Sequence, residues 1–175
     1  MLPYRPYRDL LTSAATEMAR ELIVVWAGRH RRDDWERLCS RYRDRISAFL
    51  DISDLPVKTP KGGPDRVRIA AEGKALLAVL PDPCWVIALD RRGKACSSIE
   101  LSRRLRTLRE EWPHPVAFLL GSDLGLSQAV LESARERLSF GPMTLPHELA
   151  RLVLYEQLYR ALSIGAGIKY HRVPL

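Results

Sequence analysis

Absent from this 175-residue chain are the common nucleotide fingerprints: no G-x-G-x-x-G follows an apolar strand-like run, and no G-x-x-x-x-G-K-[ST] loop occurs. The usual dinucleotide and triphosphate sites are thereby excluded. Histidine is scarce, at four residues, and none forms an H-x-x-x-H or H-E-x-x-H pair, so no metal is expected. The segment Gly-Ser-Asp-Leu-Gly at 121–125 is not the G-x-S-x-G of a serine hydrolase. The three cysteines, Cys39, Cys84 and Cys96, make no C-x-x-C pair, and reduced thiols are expected rather than a disulfide or zinc site. No apolar run approaches the roughly 18 residues of a membrane span, and the N-terminus lacks a continuous apolar signal segment. A soluble, cytoplasmic protein without membrane association is expected.

What the chain does have is enough apolar sequence, 46%, for a sizeable core in one domain. It also carries a net charge of +7, mostly from arginine, with a pI near 9.7. Arginine suits bidentate phosphate contacts and stacking, so the balance favours an anionic partner, nucleic acid above all. A basic protein with no such partner is the alternative. Residues 1–20 hold Pro3, Pro6 and two Tyr-Arg pairs without lasting periodicity, and read as an N-terminal extension expected to be flexible. Residues 21–175 read as a single domain.

Within that domain, Glu-Leu-Ile-Val-Val-Trp-Ala-Gly from Glu21 is a strand. Trp35, Leu38, Cys39, Tyr42, Ile46 and Phe49 recur at three- and four-residue steps, the apolar face of a helix. The run from Leu55 to Arg66 reads as loop, and a helix over 64–80 should bury Ile69, Leu76, Leu77 and Leu80. Cys84–Asp90 and Pro115–Gly121 are continuous apolar runs, the pattern of strands covered on both faces; Arg91–Lys94 reads as a turn. Helices follow at 98–111 and after Ser127, a good N-cap, and a short strand is expected over 138–140. Alternation of this kind predicts an α/β domain with a mainly parallel sheet flanked by helices. Ligands of such sheets sit beyond the carboxyl ends of the strands, where Asp90–Lys94, Gly121–Ser127 and Gly141–His147 fall.

Gly121 and Gly125 flank a tight turn, serving either close backbone approach to a ligand or a plain strand-to-helix connection. Pro142 and Pro146 stiffen the segment before the last helix, with Thr144 or Leu145 expected at the cap position. That helix, from Pro146 to about Ile164, carries one apolar stripe of Leu149, Leu152, Val153 and Tyr159 and another of Leu154, Leu158, Ala161 and Leu162. Two apolar sides in a short chain suggest burial against a second copy, a homodimer. Glu156 and Arg160 stand at i,i+4 and can pair. After the helix, Tyr170, His171 and Arg172 combine a ring for stacking, a proton acceptor and a phosphate ligand; a basic tail is the alternative.

Taken together, Val-Ile-Ala-Leu-Asp-Arg-Arg-Gly-Lys (86–94), Leu-Leu-Gly-Ser-Asp-Leu-Gly-Leu-Ser (119–127), the run from Met143 to Ile164 and the terminal Tyr-His-Arg resemble the ribosomal RNA large subunit methyltransferase H family, small enzymes of the SPOUT (α/β-knot) class. The resemblance runs in order from Glu21 to Arg172. It implies a SPOUT fold with a C-terminal trefoil knot, a homodimer, and S-adenosylmethionine as methyl donor. The implied activity is methylation of N3 of a pseudouridine in 23S ribosomal RNA of the assembled ribosome. By similarity the donor should contact Leu89, Gly121, Ser122, Phe140, Gly141, Pro142, Met143, Thr144 and Leu145. Tyr170, His171 and Arg172 should complete the catalytic site across the dimer. Where the family has G-G-P-E-G-L, this chain has Gly121-Ser122-Asp123-Leu124-Gly125-Leu126. That change motivates one rival, an RNA-binding protein that kept the fold and lost catalysis; a SPOUT methyltransferase with another RNA target is the second.

Overall fold

The computed structural model describes residues 21–28 and 34–170, so the extension, Arg29–Asp33 and His171–Leu175 lie outside the described residues. Strands and helices alternate strictly: β1 (Glu21–Ala27), α1 (Asp34–Ile46), β2 (Asp51–Val57), α2 (Asp65–Ala78), β3 (Trp85–Ala95), α3 (Ser98–Glu111), β4 (Val116–Leu120), α4 (Gln128–Ser133), β5 (Glu136–Ser139) and α5 (His147–Gly165). The five strands form one parallel sheet in the order β2-β1-β4-β3-β5.

Side chains alternate across a strand, and here both sets are apolar, so the sheet is covered on two faces. Leu22, Val24 and Trp26 of β1 join Val116, Phe118 and Leu120 of β4 beneath α1, α3 and α5. Ile23, Val25 and Ala27 join Ala117 and Leu119 beneath α2 and α4. On the first face α5 packs between α1 and α3.

Three expectations need correction. The run from Leu55 was read as loop, yet Leu55–Val57 ends β2; Pro56 is tolerated because β2 lies at the sheet's edge. Arg91–Lys94 is not a turn after a strand but part of β3. Leu89 and Lys94 both pair with Leu138, so residues 90–93 bulge outward and the chain then rejoins the ladder. The cap of α5 is Pro146 itself, with no side-chain cap bond, rather than Thr144 or Leu145. Ser127 does cap α4, accepting from the Val130 N–H, and α3 spans the expected residues behind a Ser97/Glu100 capping box.

Burial also departs from the apolar pattern at two helices. On α1, Trp35 and Leu38 are 38% and 37% exposed, while Cys39 and Ile46 are buried. On α2, Ile69 and Leu77, and Leu80 just after it, are only half-buried beside buried Leu76, and the position most enclosed with it is a charged one, Glu72, 1% exposed. The three cysteines are free thiols. Among the described residues no helix is long and apolar enough to cross a membrane.

The two stripes of α5 have different fates. Leu154, Leu158, Ala161 and Leu162 are buried in the core, whereas Leu149, Leu152, Val153 and Tyr159 are half-exposed. On the buried side, Arg151 and Tyr155 reach a polar cluster that the apolar pattern does not disclose. Arg151 pairs with Glu36 and lies 3.6 Å from Asp54; Arg43 pairs with Glu36 at 2.6 Å and lies 3.4 Å from Asp54. Trp26 Nε1 and the Tyr155 hydroxyl donate to Asp54, and the Arg151 guanidinium sits 4.0 Å above the Trp26 ring. This network ties α1, β2 and α5 together through paired charges.

Candidate active site

The β3 bulge and the loops beyond the carboxyl ends of β4 and β5 converge on one cavity of about 400 Å³. Each loop has a physical reason for its shape. The Gly121–Leu126 turn is closed by Gly125 N–H donating to the Ser122 carbonyl at 3.0 Å. A side chain at Gly121 would place its Cβ 2.2 Å from the Gly125 carbonyl oxygen, so only glycine fits. Gly125 adopts φ +80° and Gly141 φ +114°, and at both a Cβ would meet nothing within 4 Å, so bare backbone borders open space.

Ser122 does more than line the wall. Its hydroxyl donates to Glu72 Oε2 at 2.7 Å and accepts from Leu124 N–H at 3.3 Å, fixing the turn to α2. Glu72 Oε1 has no hydrogen-bond partner among the described residues. On the other side, the buried Ser139 hydroxyl donates to the Arg91 carbonyl at 3.2 Å and accepts from Gly141 N–H at 3.0 Å, which joins the β3 bulge to the loop before α5. Asp90 folds the bulge by accepting from Arg92 N–H at 2.9 Å. Neither Glu72 nor Ser139 was singled out from sequence. Glu72 had a faint signal, a charged residue at a core-facing position of α2; Ser139 had none.

Leu89, Gly121, Ser122, Phe140, Gly141, Met143, Thr144 and Leu145 all line this cavity, together with apolar Leu126, Leu131 and Leu138. Pro142 of the same segment is exposed and is not part of the lining. His147 lines the cavity from the first turn of α5, its Nε2 3.2 Å from Glu148 Oε1.

Tyr170 is not in this group. Its ring packs edge-on against Tyr159 at 4.7 Å with the Arg160 guanidinium 4.9 Å above it, and its hydroxyl donates to Glu156 at 3.3 Å. Burial, then a hydrogen bond with Tyr42, pushes that hydroxyl's pKa well above the ordinary value. Glu156 and Arg160 form the expected i,i+4 pair, with Arg160 Nε donating at 3.0 Å. Tyr159 lies twelve residues beyond His147, which along a helix is roughly 18 Å from the cavity's edge. His171 and Arg172 lie outside the described residues.

Among the arginines, Arg41, Arg45, Arg103 and Arg106 are exposed, Arg43 is held inside the buried network, and Arg104 is fixed to Glu136 by its Nε at 3.0 Å.

A parallel sheet with one cavity lined from its β3 bulge and the loops after β4 and β5 is the general layout of an α/β ligand-binding domain. A probable methylase family protein from Haemophilus influenzae has a similar fold, at 16% identity and a TM-score of 0.51 over 90% of this chain and 72% of that one. A family model described as "Predicted SPOUT methyltransferase" matches residues 20–171. The chain is 39% identical over 152 residues to the ribosomal RNA large subunit methyltransferase H of Solidesulfovibrio magneticus, covering 87% of this chain and 99% of that protein. It is 44% identical to the protein of the same name from Gluconacetobacter diazotrophicus, over 77% of this chain and 86% of that one. The chain belongs to the SPOUT methyltransferases and, within them, to the ribosomal RNA large subunit methyltransferase H family.

Proposed function

We propose that this protein is an S-adenosylmethionine-dependent methyltransferase of large-subunit ribosomal RNA, acting on N3 of a pseudouridine in 23S ribosomal RNA of the assembled ribosome. The observation that carries this reading is the convergence of the β3 bulge and the loops after β4 and β5 on one cavity in a chain of this family. The residues present suit such a donor. Leu89, Leu138, Phe140 and Leu145 offer apolar surface to an adenine ring, and the bare backbone at Gly125 and Gly141 admits close approach. Asp90 and Asp123 can accept from ribose hydroxyls or an ammonium group.

When bound, the donor supplies a methyl group already activated on a sulfonium, so the protein's task is alignment and management of one proton. His171 accepts the proton of the weakly acidic N3, and Arg172 stabilises the negative charge that develops on the base. Tyr170 supplies a stacking ring. Because Tyr170 packs roughly 18 Å along α5 from the cavity, these three residues complete the site of a second protomer. The half-exposed stripe of α5 and the exposed Trp35 and Leu38 are the apolar surface available for that homodimer.

Mass spectrometry of ribosomal RNA from a strain lacking the gene tests the target: the methylpseudouridine should vanish and return on complementation. An unchanged mark would refute it. Alanine at His171 and at Arg172 should slow methyl transfer to ribosomes while calorimetric donor affinity stays within about twofold. Full turnover in both variants would remove their roles.

A further inference from the structure

A second cavity, of about 360 Å³, opens between α3 and the β3–β5 edge of the sheet. Its floor is apolar: Ile87, Leu101 and Leu105 are buried there, and Leu138 is shared with the first cavity. Its rim is cationic. Lys94 and Arg103 are exposed and hold no ion pair among the described residues, unlike Arg104, which is fixed to Glu136. Of the two acids lining the cavity, Glu136 is held by Arg104, and Glu100 accepts from the Ser97 hydroxyl and N–H while also feeling the charges of Lys94 and Arg103. The β3 bulge connects the cavities, with Arg91 and Arg92 facing the first and Lys94 the second.

An apolar slot under a rim with two exposed cations matches a ligand with a flat apolar face and a phosphate, and the volume lies in the range of about 300–1,000 Å³ usual for small-ligand sites. We infer that this second cavity receives a nucleotide of the RNA substrate flanking the target. Its base rests on the Ile87–Leu101–Leu105 floor, its phosphate lies between Lys94 and Arg103, and the strand passes over Arg91 and Arg92. The inference rests on the RNA reading above and adds a position at which a second base leaves the stack. Drawing a base out costs a few kcal/mol, so a protein that holds one flanking base keeps the RNA around the target unstacked while it is methylated.

The test separates charge from shape. Binding of a single-stranded oligouridine and of assembled ribosomes is measured over a salt series for the wild type, Lys94→Ala/Arg103→Ala and Thr107→Trp. The last fills the cavity, which Thr107 lines, without changing charge. The double variant should weaken binding at least about tenfold and lower the salt slope by about 0.7, from the one phosphate held between the two cations. Thr107→Trp should weaken binding about tenfold with the slope unchanged, and both variants should bind S-adenosylmethionine like the wild type. Wild-type RNA affinity in Thr107→Trp would overturn the inference, leaving at most a surface phosphate contact. A change of mass in sedimentation would overturn it too, since a second copy of the chain would then cover the cavity. If the wild type leaves assembled ribosomes unmethylated while Thr107→Trp still loses oligouridine affinity, the enzymatic reading fails and this one stands.

Discussion

Replacing Ser122 by alanine removes one oxygen, and the structure sets what that oxygen is worth. Its hydroxyl is the donor seen on Glu72, a carboxylate 1% exposed, and the acceptor that holds Leu124 N–H. A hydrogen bond to a charged group contributes about 1.5–3 kcal/mol, and stranding the buried partner puts the loss at the upper end of that range. Urea unfolding of Ser122→Ala should therefore show a stability loss of about 2–3 kcal/mol. The double variant Glu72→Met/Ser122→Ala should recover most of it, because removing both polar partners leaves nothing unpaired. Calorimetry with S-adenosylmethionine locates the damage. If the turn unlocks locally, about 2 kcal/mol of reordering appears as about a 30-fold weaker affinity; if only global stability falls, affinity is unchanged. A Ser122→Ala protein with unaltered stability, or a double variant as unstable as the single one, would refute the coupling.

Gly121→Ala should be far worse than Gly125→Ala, because the first Cβ meets backbone at 2.2 Å and the second meets open space. Urea unfolding should show about 3 kcal/mol lost for the first and about 1 kcal/mol for the second, from its φ of +80° alone. Arg151→Met, which leaves Glu36 and Asp54 short of a buried cation, should cost about 3–5 kcal/mol near neutral pH. Burial raises the Glu36 pKa, but Arg43 and Arg151 outweigh it and hold the group at about 2 against an ordinary 4.5. A depressed carboxylate stabilises the fold above 4.5 and loses that contribution as pH falls toward 2. In Arg151→Met the decline over that window should be shallower, which urea midpoints at a series of acidic pH values would check.

The architecture was legible where residues repeat a physical pattern. Two-sided apolar runs gave β1, β3 and β4, and Ser127 marked the start of α4. The failures have physical causes. In β2, Asp51-Ile-Ser-Asp-Leu-Pro-Val57 mixes acids and a proline because it is an edge strand that pairs with β1 and buries one acid, Asp54, against arginines. No apolar period can announce a strand held that way. The β3 bulge reads locally as a turn, and only its partner β5 pulls Lys94 and Ala95 back into the ladder.

The site divides along the same line. The segments that line the cavity stand at strand ends, a place the α/β pattern marks in advance, whereas the groups that lock them together come from afar: Glu72 from fifty residues upstream of Ser122, Ser139 from the far side of the β3 bulge. That distance bears on the rival reading of a silent RNA-binding protein, which drew its force from the altered Gly121–Leu126 loop. A turn that has Asp123 in place of proline must draw rigidity from elsewhere, and Ser122 draws it from Glu72 and Leu124 N–H. The two glycines kept, Gly121 and Gly125, are those whose backbone admits no other residue without a clash or a strained φ. The substitutions thus fall where side-chain bonds compensate and spare the positions where nothing could, the distribution expected of a turn still held to a required shape.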